Sequence, residues 1–524
     1  MHIYFISILA SYIDIFLNIG NNDSKYKKDG ELFKEEEYNA MSNFSDKCKE
    51  ILKENGTNVY QLSIHASLER TALQRMVTGK RLPQLSFLKN FCQALRLSKF
   101  EEEELLELYR IESMGEDAYR NEQSILHLLK QLGALEEKES IYDNKITSIQ
   151  YQNMELLSNT SSNVYDTELL IRYVLKKEFS HNTDGFIYTN LPGTHESFLY
   201  NLELFYRQFH KRLSIRHLMN FQITPSLSSE NLDMMRSVLS LFISNQLDYQ
   251  VFYYYSRLAK NDVLYMCFPN YIITSKHVLL LSSDFIKGII LSEKDILEQY
   301  IRAFRANCSL AAPLFQRISK LNGVLSVYKT ESVPSESDIH YFHYQPCYVD
   351  LLGEEKMLEQ IKQLLPEFYE IGKRFVQSIV IKAASPNLCF FSEQGVKEFC
   401  RTGKYYGQIG VFFPPLTIEQ RIEALKFFQN NPMYHNYRII KESSPISFPK
   451  HLYFELLGTS SLQIIRIESL DVIDFITIEE SSICEAFYHF FQSLPTSKYI
   501  YSIEEANSFI SQCIDKLSKD ILKR

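Results

Sequence analysis

The sequence lacks the short patterns that would assign it to a function class at once. Its nine cysteines are scattered and form no Cys-x-x-Cys pair, which excludes a zinc ribbon, a thiol-redox motif and a disulfide framework that could be read from spacing. The sequence also contains no Gly-x-Ser-x-Gly, His-Glu-x-x-His, Gly-x-x-x-x-Gly-Lys-Ser/Thr or Gly-x-Gly-x-x-Gly. We therefore expect no catalytic residue, no metal and no cofactor, and a reducing cytoplasm as the compartment.

Long apolar runs are also scarce. Beyond the first twenty residues no segment approaches 18 uninterrupted apolar residues, whereas a membrane-spanning helix needs about 20. Residues 1–20 are apolar, but no Lys or Arg precedes the run and Asp14 interrupts it. We interpret residues 1–40 as an N-terminal extension, disordered or translated from an upstream start codon; a membrane anchor is the alternative. No membrane partner is expected.

The composition is that of a globular protein with several domains, since 45% of the 524 residues are hydrophobic and 23% are charged. The net charge is −8, but it is unevenly spread. Residues 44–99 carry ten Lys and Arg against four Asp and Glu, a net +6, so the remainder carries −14. This pattern predicts that only the basic block contacts a polyanion.

Five short helices are predicted between residues 43 and 112. Gly56 and Gly79 stand where helices end, and Asn58 is a suitable N-cap for the second helix. The third helix, "ERTALQRMVT", places Leu73, Met76 and Val77 on an inner face; the corner "GKRLP" follows it. Two short helices joined by a tight turn indicate a helix-turn-helix.

Residues 44–108 resemble the lambda-repressor/Cro-type (XRE family) DNA-binding domain. The likeness lies in "LSIHASLERTALQRMVTGKRLPQLSFLKNFCQALRLS", where seven residues occupy the family's usual positions: Leu62, Leu73, Gly79, Arg81, Pro83, Leu88 and Leu95. Two positions depart from the pattern. Ser67 stands in the turn where the family often has Gly, and Val77 stands where it often has Glu.

The resemblance implies a set of DNA contacts. Arg70, Thr71, Gln74 and Arg75 are the expected base-contacting residues, since Arg can bond a guanine edge and Gln an adenine edge. Gln61, Lys80 and Arg81 are the expected phosphate-contacting residues. The implied partner is a double-stranded DNA operator bound by a homodimer, because one such domain reads a half-site. A dimerisation or protein-binding module is the alternative.

From about residue 165 the pattern changes to short β-rich runs alternating with amphipathic helices, which indicates an α/β (α+β) body. Predicted strands are "GFIYTN", "YQVFYYY", "VLYMCF", "NYIITS", "HVLLLSS" and "KGIILS". An internal repeat accompanies them, with four pairs at one offset of 186: Phe242 with Phe428, Gly288 with Asp474, Glu293 with Glu479, and Phe304 with Phe490. "DGFIYTNLPGTHESFL" and "SPNLCFFSEQGVKEFC" are the candidate starts of the two copies.

The predicted fold is multidomain, with a small all-α helix-turn-helix domain before a large body of two similar halves. Its predicted parts are the extension 1–40, the helix-turn-helix domain 41–112, a connecting helix and linker 113–164, α/β unit 1 at 165–335, and α/β unit 2 at 345–515.

Two other stretches are expected to be structural. His340, His343 and Cys347 could be imagined as metal ligands, but their spacing is not a zinc pattern and flanking aromatic residues favour a packed strand and loop. The basic run "RQFHKRLSIRH" at 207–217 is predicted to be a solvated helix face rather than a second nucleic-acid patch.

The prediction for the whole chain is a sequence-specific transcriptional regulator that is no enzyme, with a C-terminal sensor or dimerisation region open to a small-molecule or peptide effector. Two alternatives remain: an enzyme of unrecognised type, or an assembly protein, each carrying a regulatory helix-turn-helix domain. A cluster of pocket carboxylates or His residues with perturbed acidities would favour the enzyme. A mainly apolar pocket between the repeats, without such a cluster, would favour the sensor.

Overall fold

A computed structural model describes most of the chain beyond the N-terminal extension, which lies outside it. The described residues are 43–137, 158–181, 185–223, 229–244, 247–255, 267–319, 339–346, 349–364, 366, 369–370, 372–374, 376–377, 388–406, 414–430, 436–469 and 472–522. The chain divides into two units, Met1–Ser113 and Met114–Arg524. Within the described ranges, no helix has both the length and the apolar character that a bilayer crossing requires.

The described part of the first unit is helical. Its elements are α1 (Asn43–Glu54), α2 (Val59–His65), α3 (Arg70–Val77), α4 (Leu85–Ala94) and α5 (Lys99–Met114), the last of which runs one residue into the second unit. Their inner faces meet in one core that includes Phe44, Leu62, Leu73 and Phe91, each less than 5% exposed. The 3.6-residue spacing of these apolar positions is what makes each segment a one-sided helix.

Local signals set the ends of these helices. Asn58 accepts a hydrogen bond from the backbone N–H of Gln61 at 2.9 Å and so caps α2, as predicted. Gly79 has φ +70°, and the bonds Gly79 N to Met76 O (3.1 Å) and Lys80 N to Arg75 O (2.9 Å) close a Schellman motif. The predicted left-handed cap at Gly79 is confirmed.

The second unit, called the body below, is mixed helix and sheet with two mixed sheets, as predicted at that level. Its helices are α6 (Glu116–Glu137), α7 (Val164–His181), α8 (Glu196–Phe209), α9 (Ser229–Ser244), α10 (Lys294–Leu310), α11 (Val349–Leu364), α12 (Glu393–Thr402), α13 (Ile418–Asn430), α14 (Ser481–Ser493) and α15 (Ile503–Leu522). A 3₁₀ turn, Leu494–Thr496, follows α14.

The described ranges contain fifteen strands. They are β1 (Thr160–Ser161), β2 (Phe186–Thr189), β3 (Ser214–Phe221), β4 (Asp248–Tyr255), β5 (Asn270–Ile273), β6 (Val278–Leu281), β7 (Gly288–Leu291), β8 (Ala312–Pro313), β9 (Gln316–Ser319), β10 (Ile339–His343), β11 (Cys389–Ser392), β12 (Tyr437–Ile440), β13 (Leu452–Leu457), β14 (Ser461–Ile467) and β15 (Ile473–Ile478).

The two sheets have the same strand order. The first runs β1-β7-β6-β5-β2-β3-β4-β8 and the second β9-β15-β14-β13-β10-β11-β12. In each, three parallel strands (β2-β3-β4 and β10-β11-β12) continue into an antiparallel meander, and a strand that precedes them in sequence pairs antiparallel with the meander's outer strand. Even the edge contact of β8 on β4 has a counterpart in the single antiparallel bridge Ile440–Ile500.

This correspondence refines the predicted repeat. The strand β7 at residues 288–291 and the strand β15 at 473–478 agree with the offset of 186. The helix caps differ by one residue, since Glu293 precedes α10 whereas Glu480 precedes α14. The proposed starts of the copies do not correspond: "DGFIYTN" forms β2, whose equivalent in strand order is β10, whereas "NLCFFS" forms β11.

One apolar cluster draws on both sheets. It contains Ile215 of β3, Val238 of α9, Phe454 of β13 and Phe487 of α14, all fully buried. The helix predicted as a connector, α6, contributes Leu129 and neighbouring side chains to the same cluster.

The strand predictions were confirmed for β2, β4, β5, β6 and β7, while "VLYMCF" falls mostly outside the described residues. The prediction for residues 207–217 was wrong in its second half. Ser214–Phe221 is β3, the strand between β2 and β4, and His217 is fully buried there rather than solvated.

Candidate functional sites

The first candidate site is the outer face of α3. All seven residues predicted to contact DNA are exposed: Arg70, Thr71, Gln74, Arg75, Gln61, Lys80 and Arg81. The predicted inner face is confirmed, since Leu73, Met76 and Val77 are the buried residues of this helix. The structure thus leaves the predicted donors accessible.

Two backbone features arrange this face. Ser67, in the turn between α2 and α3, has φ +54°, so it takes the left-handed conformation at a position where the lambda-repressor/Cro-type pattern often has Gly. The Schellman motif after α3 turns the chain at Gly79, directly before Lys80 and Arg81. Across the turn, the Arg70 guanidinium lies 5.2 Å from the centre of the Tyr60 ring, a cation–π contact that restrains this long side chain.

The second candidate site is a cavity in the body, called the β2–β4 cavity below. Its volume is about 380 Å³, within the usual range for small-molecule sites. It lies where the parallel strands β2, β3 and β4 end, which is where open α/β sheets bind ligands. Its lining residues are Asn190, Pro192, Thr194, Asn220, Gln222, Glu230, Asp233, Met234, Tyr254, Pro269 and Asn270.

Side-chain amides fix the wall of this cavity. Asn190 donates from Nδ2 to Pro269 O at 2.8 Å and accepts at Oδ1 from Tyr271 N at 2.8 Å. Asn231 does the same for Gln222, accepting from its N–H at 2.9 Å and donating to its carbonyl at 3.1 Å. Asn190 thus ties the residue after β2 to the backbone at the start of β5, and Asn231 of α9 satisfies both backbone groups of Gln222 after β3.

A close backbone approach sets one edge of the cavity. A Cβ on Gly193 would lie 2.7 Å from Met234 O and 2.7 Å from Met219 Sδ. The loop between β2 and α8 therefore rests directly on α9, and only Gly allows this distance.

Two carboxylates face the cavity from α9. Glu230 and Asp233 are three residues apart, so they share one face of the helix. Asp233 accepts a hydrogen bond from the Ser124 hydroxyl of α6 and lies 3.4 Å from Arg236 Nε. Among the lining residues that the structure describes there is no Lys, Arg or His. The cavity consequently disfavours anions.

One of the lining residues, Asn220, has a hydrogen-bond acceptor without a partner among the described residues. The Oδ1 atom of Asn220 is buried and has no hydrogen-bond partner among the described residues. A buried carbonyl without a partner costs roughly 1–3 kcal/mol, and the Asn220 side chain lines the cavity. The lining is thus suited to a neutral or cationic molecule rich in hydrogen-bond donors.

A buried histidine supports the floor of the site. His217 Nε2 lies 2.7 Å from Leu191 O and Nδ1 lies 2.7 Å from the Tyr249 hydroxyl. Because a carbonyl can only accept, Nε2 carries the proton and Nδ1 accepts from Tyr249. Burial lowers the pKa of His217 to about 4, so the ring is neutral and holds the loop after β2 against β3 and β4.

The equivalent edge of the second sheet is occupied by side chains. Glu398 accepts from the Tyr344 hydroxyl at 2.7 Å and pairs with Lys450 Nζ at 2.9 Å. A Cβ on Gly395 would lie 1.8 Å from Tyr344 O, so α12 starts directly against the end of β10.

The histidines considered as metal ligands lie in β10. His340 is 1% exposed, with Nε2 3.2 Å from Gln492 Nε2. Burial lowers the pKa of His343 to about 4, and its ring contacts Tyr341 and Tyr453. Cys347 lies outside the described residues. The described ranges contain no group of three or more potential metal ligands.

Similarity to known proteins was found among solved structures only. No family model and no curated protein matches the chain. The chain is similar to the solved structure of phosphatidylserine synthase from Haemophilus influenzae Rd KW20, with 8% identity and a TM-score of 0.23 over 69% of this chain and 92% of that one. It is also similar to polyphosphate kinase from Porphyromonas gingivalis, with 8% identity and a TM-score of 0.22 over 64% of this chain and 47% of that one.

Both of these proteins are named as enzymes, and this corrects two expectations. The prediction of a sequence-specific transcriptional regulator with a sensor or dimerisation region was wrong, as was the prediction that the chain is no enzyme. With TM-scores of 0.22 and 0.23, neither structure identifies a substrate or a catalytic residue for this chain. A ligand class can therefore be inferred only from the residues that line the cavity.

Proposed function

We propose that the body is an enzyme acting on a small, neutral or cationic molecule rich in N–H and O–H donors, bound in the β2–β4 cavity. One observation carries the proposal: a polar cavity at the ends of three parallel strands is lined by two carboxylates and by side-chain amides, without Lys, Arg or His among its described lining residues. Glu230 and Asp233 are the groups available for general acid–base chemistry.

Binding of matched sugars tests the proposed ligand class. Glucosamine carries one amine and several hydroxyls, whereas glucosamine 6-phosphate adds only an anion. Calorimetry on the full chain should detect glucosamine binding and at least tenfold weaker binding of the phosphate. Asn220→Leu, which removes the acceptor, should weaken glucosamine binding. Tighter binding of the phosphate, or an unchanged affinity in Asn220→Leu, would contradict the proposal.

We further propose that residues 44–108 form a lambda-repressor/Cro-type unit that holds this enzyme on double-stranded DNA as a homodimer in the cytoplasm. Arg70, Thr71, Gln74 and Arg75 would read bases, and Gln61, Lys80 and Arg81 would contact phosphates. The exposure of all seven side chains, the left-handed turn at Ser67 and the net +6 of residues 44–99 support this assignment. The shared strand order of the two sheets likewise supports an internal duplication of the body.

Fluorescence anisotropy across a salt series tests the DNA contact. The full chain should bind a labelled duplex with an affinity that falls steeply as salt rises, and Arg70→Ala/Arg75→Ala should weaken binding at least tenfold. Lys294→Ala/Lys519→Ala removes the same charge from exposed sites of the body and should leave binding unchanged. Equal losses in both double variants would indicate non-specific attraction only.

A further inference from the structure

Two cysteines far apart in sequence meet on the surface helices of the body. Cys400 lies in the last turn of α12 and Cys513 in the middle of α15. Their thiols are in hydrogen-bond contact, and both residues are half-buried and free. Because the two cysteines are 113 positions apart in the sequence, their spacing gives no indication that they are close in the fold.

Packing of three helices holds the two thiols together. α12, α13 and α15 share an apolar cluster that includes Val396, Phe399, Leu425 and Leu517, and both cysteines pack against it. Since both cysteines lie within helices that pack on one apolar cluster, the contact is a lasting feature of the fold.

Positive charge surrounds the pair. Arg421 donates from Nη1 to the Cys400 carbonyl at 3.0 Å, and Lys397 and Lys516 favour the thiolate of Cys513, against an opposing contribution from Glu393. Because the Cys400 thiol donates its hydrogen bond to Cys513, the pKa of Cys513 is lowered and that of Cys400 is raised. Cys513 is therefore the more nucleophilic sulfur.

The buried cysteines elsewhere behave differently. Burial raises the pKa of Cys48 to about 12, that of Cys92 to about 11 and that of Cys484 to about 12. Thiols of this kind are inert, because only the thiolate attacks a disulfide. The α12–α15 pair is distinguished by its geometry, a donor and an acceptor sulfur in contact at the surface.

We propose that Cys400 and Cys513 form a reversible disulfide by exchange with a low-molecular-weight disulfide such as oxidised glutathione. The Cys513 thiolate attacks one glutathione sulfur, the S–S bond of oxidised glutathione breaks, and one glutathione thiolate leaves and takes a proton. Cys400 then loses its proton, attacks the Cys513 sulfur of the mixed disulfide and releases the second glutathione. The pair is oxidised by two electrons, and one oxidised glutathione becomes two reduced ones.

The bond would tie the C-terminal helix to α12. In the reduced protein α15 is held by the apolar cluster that it shares with α12 and α13 and by polar contacts such as Gln429 Nε2 to Ser511 Oγ at 2.8 Å. A covalent link should therefore slow amide hydrogen exchange in α15 without altering exchange in α8.

Peptide mass spectrometry tests the pair directly. The full chain is incubated with oxidised glutathione, free thiols are alkylated, and the digest is searched for a peptide that links residues 400 and 513. We expect this linked peptide, and its loss on reduction. Glutathione adducts on both cysteines without a link, or no reaction at either, would overturn the proposal.

Serine variants assign the order of attack. Cys400→Ser should stop at a stable glutathione adduct on Cys513, whereas Cys513→Ser should leave Cys400 largely unmodified. Cys267, which is exposed, serves as the control, since it should take up glutathione to the same extent in every variant. If Cys400 reacts equally fast in Cys513→Ser, the proposed order is wrong; unchanged thermal unfolding shows that the variants remain folded.

Discussion

At the scale of single residues, the β2–β4 cavity depends on side chains whose roles the linear sequence does not reveal. Asn190 bonds the backbone of Pro269 and Tyr271, and Asn231 bonds both backbone groups of Gln222. The His217 ring links the Leu191 carbonyl to the Tyr249 hydroxyl. Their partners lie up to 81 positions away, so no local pattern identifies them. By contrast, Asn58 and Gly79 act within one helical turn, and their roles were predicted correctly.

His217 should make stability depend on pH. The pKa of His217 falls from 6.5 to about 4 on folding, so below pH 6.5 the unfolded chain binds a proton that the native chain does not. Its contribution is complete above pH 6.5 and is lost as pH falls, by about 2 kcal/mol at pH 5. Urea unfolding from pH 7 to 5 should show this slope, and His217→Gln should reduce it; an identical slope in the variant would contradict the assignment.

Gly193 should tolerate no side chain. Gly193→Ala places a Cβ 2.7 Å from Met234 O, so the loop or α9 must shift, at a cost of about 1–3 kcal/mol. Urea unfolding measures this cost, and calorimetry should show that glucosamine binding is weakened too. Thr194→Ser, which only shortens a neighbouring side chain, is the control for stability alone, because Thr194 itself lines the cavity. A variant as stable as the control would mean that the loop is not held against α9.

At the scale of elements, the strands with unbroken apolar character were predictable, whereas β3 was not. Its residues Arg216, His217 and Asn220 interrupt the pattern, and together with the basic residues before it they imitate a helix surface. Two of these three, His217 and Asn220, support or line the cavity. The prediction therefore failed at the strand whose polar residues support or line the cavity, because these residues break the simple apolar pattern of a buried strand.

The turn between α2 and α3 offers a matched pair of variants. Ser67 has φ +54°, so Ser67→Gly should stabilise this turn by about 0.5 kcal/mol or more. Ser63 lies inside α2 and donates to Tyr60 O at 2.8 Å, so Ser63→Gly should destabilise the helix by about 0.5 kcal/mol or more. Native-state hydrogen exchange of α2 and α3 in the full chain measures both; shifts of the same sign would show that the backbone conformation of Ser67 is misassigned.

At the scale of the whole molecule, the constant offset of 186 did anticipate two sheets of one strand order, although the starts of the copies were misplaced by one strand. Local periodicity indicates which segments form strands, whereas the pairing of parallel strands that are joined by helices is a long-range property. The cavity could not be predicted from the sequence for the same reason. It is formed by the ends of β2, β3 and β4 and by the start of α9, which meet only in the folded body.

The central claim is that the body is an enzyme whose site is the β2–β4 cavity, and turnover tests it most directly. The full chain is incubated with a deproteinised small-molecule extract of bacterial cells, and depletion is followed by mass spectrometry for the wild type and for Asp233→Asn. Asp474→Asn, a buried carboxylate of β15 outside the cavity lining, is the control.

We expect the wild type and the folded control to deplete a neutral or cationic polar compound that Asp233→Asn leaves intact. If the wild type depletes nothing, or if Asp233→Asn is as active as the wild type, then catalysis in the β2–β4 cavity is contradicted and the body is better explained as an assembly module.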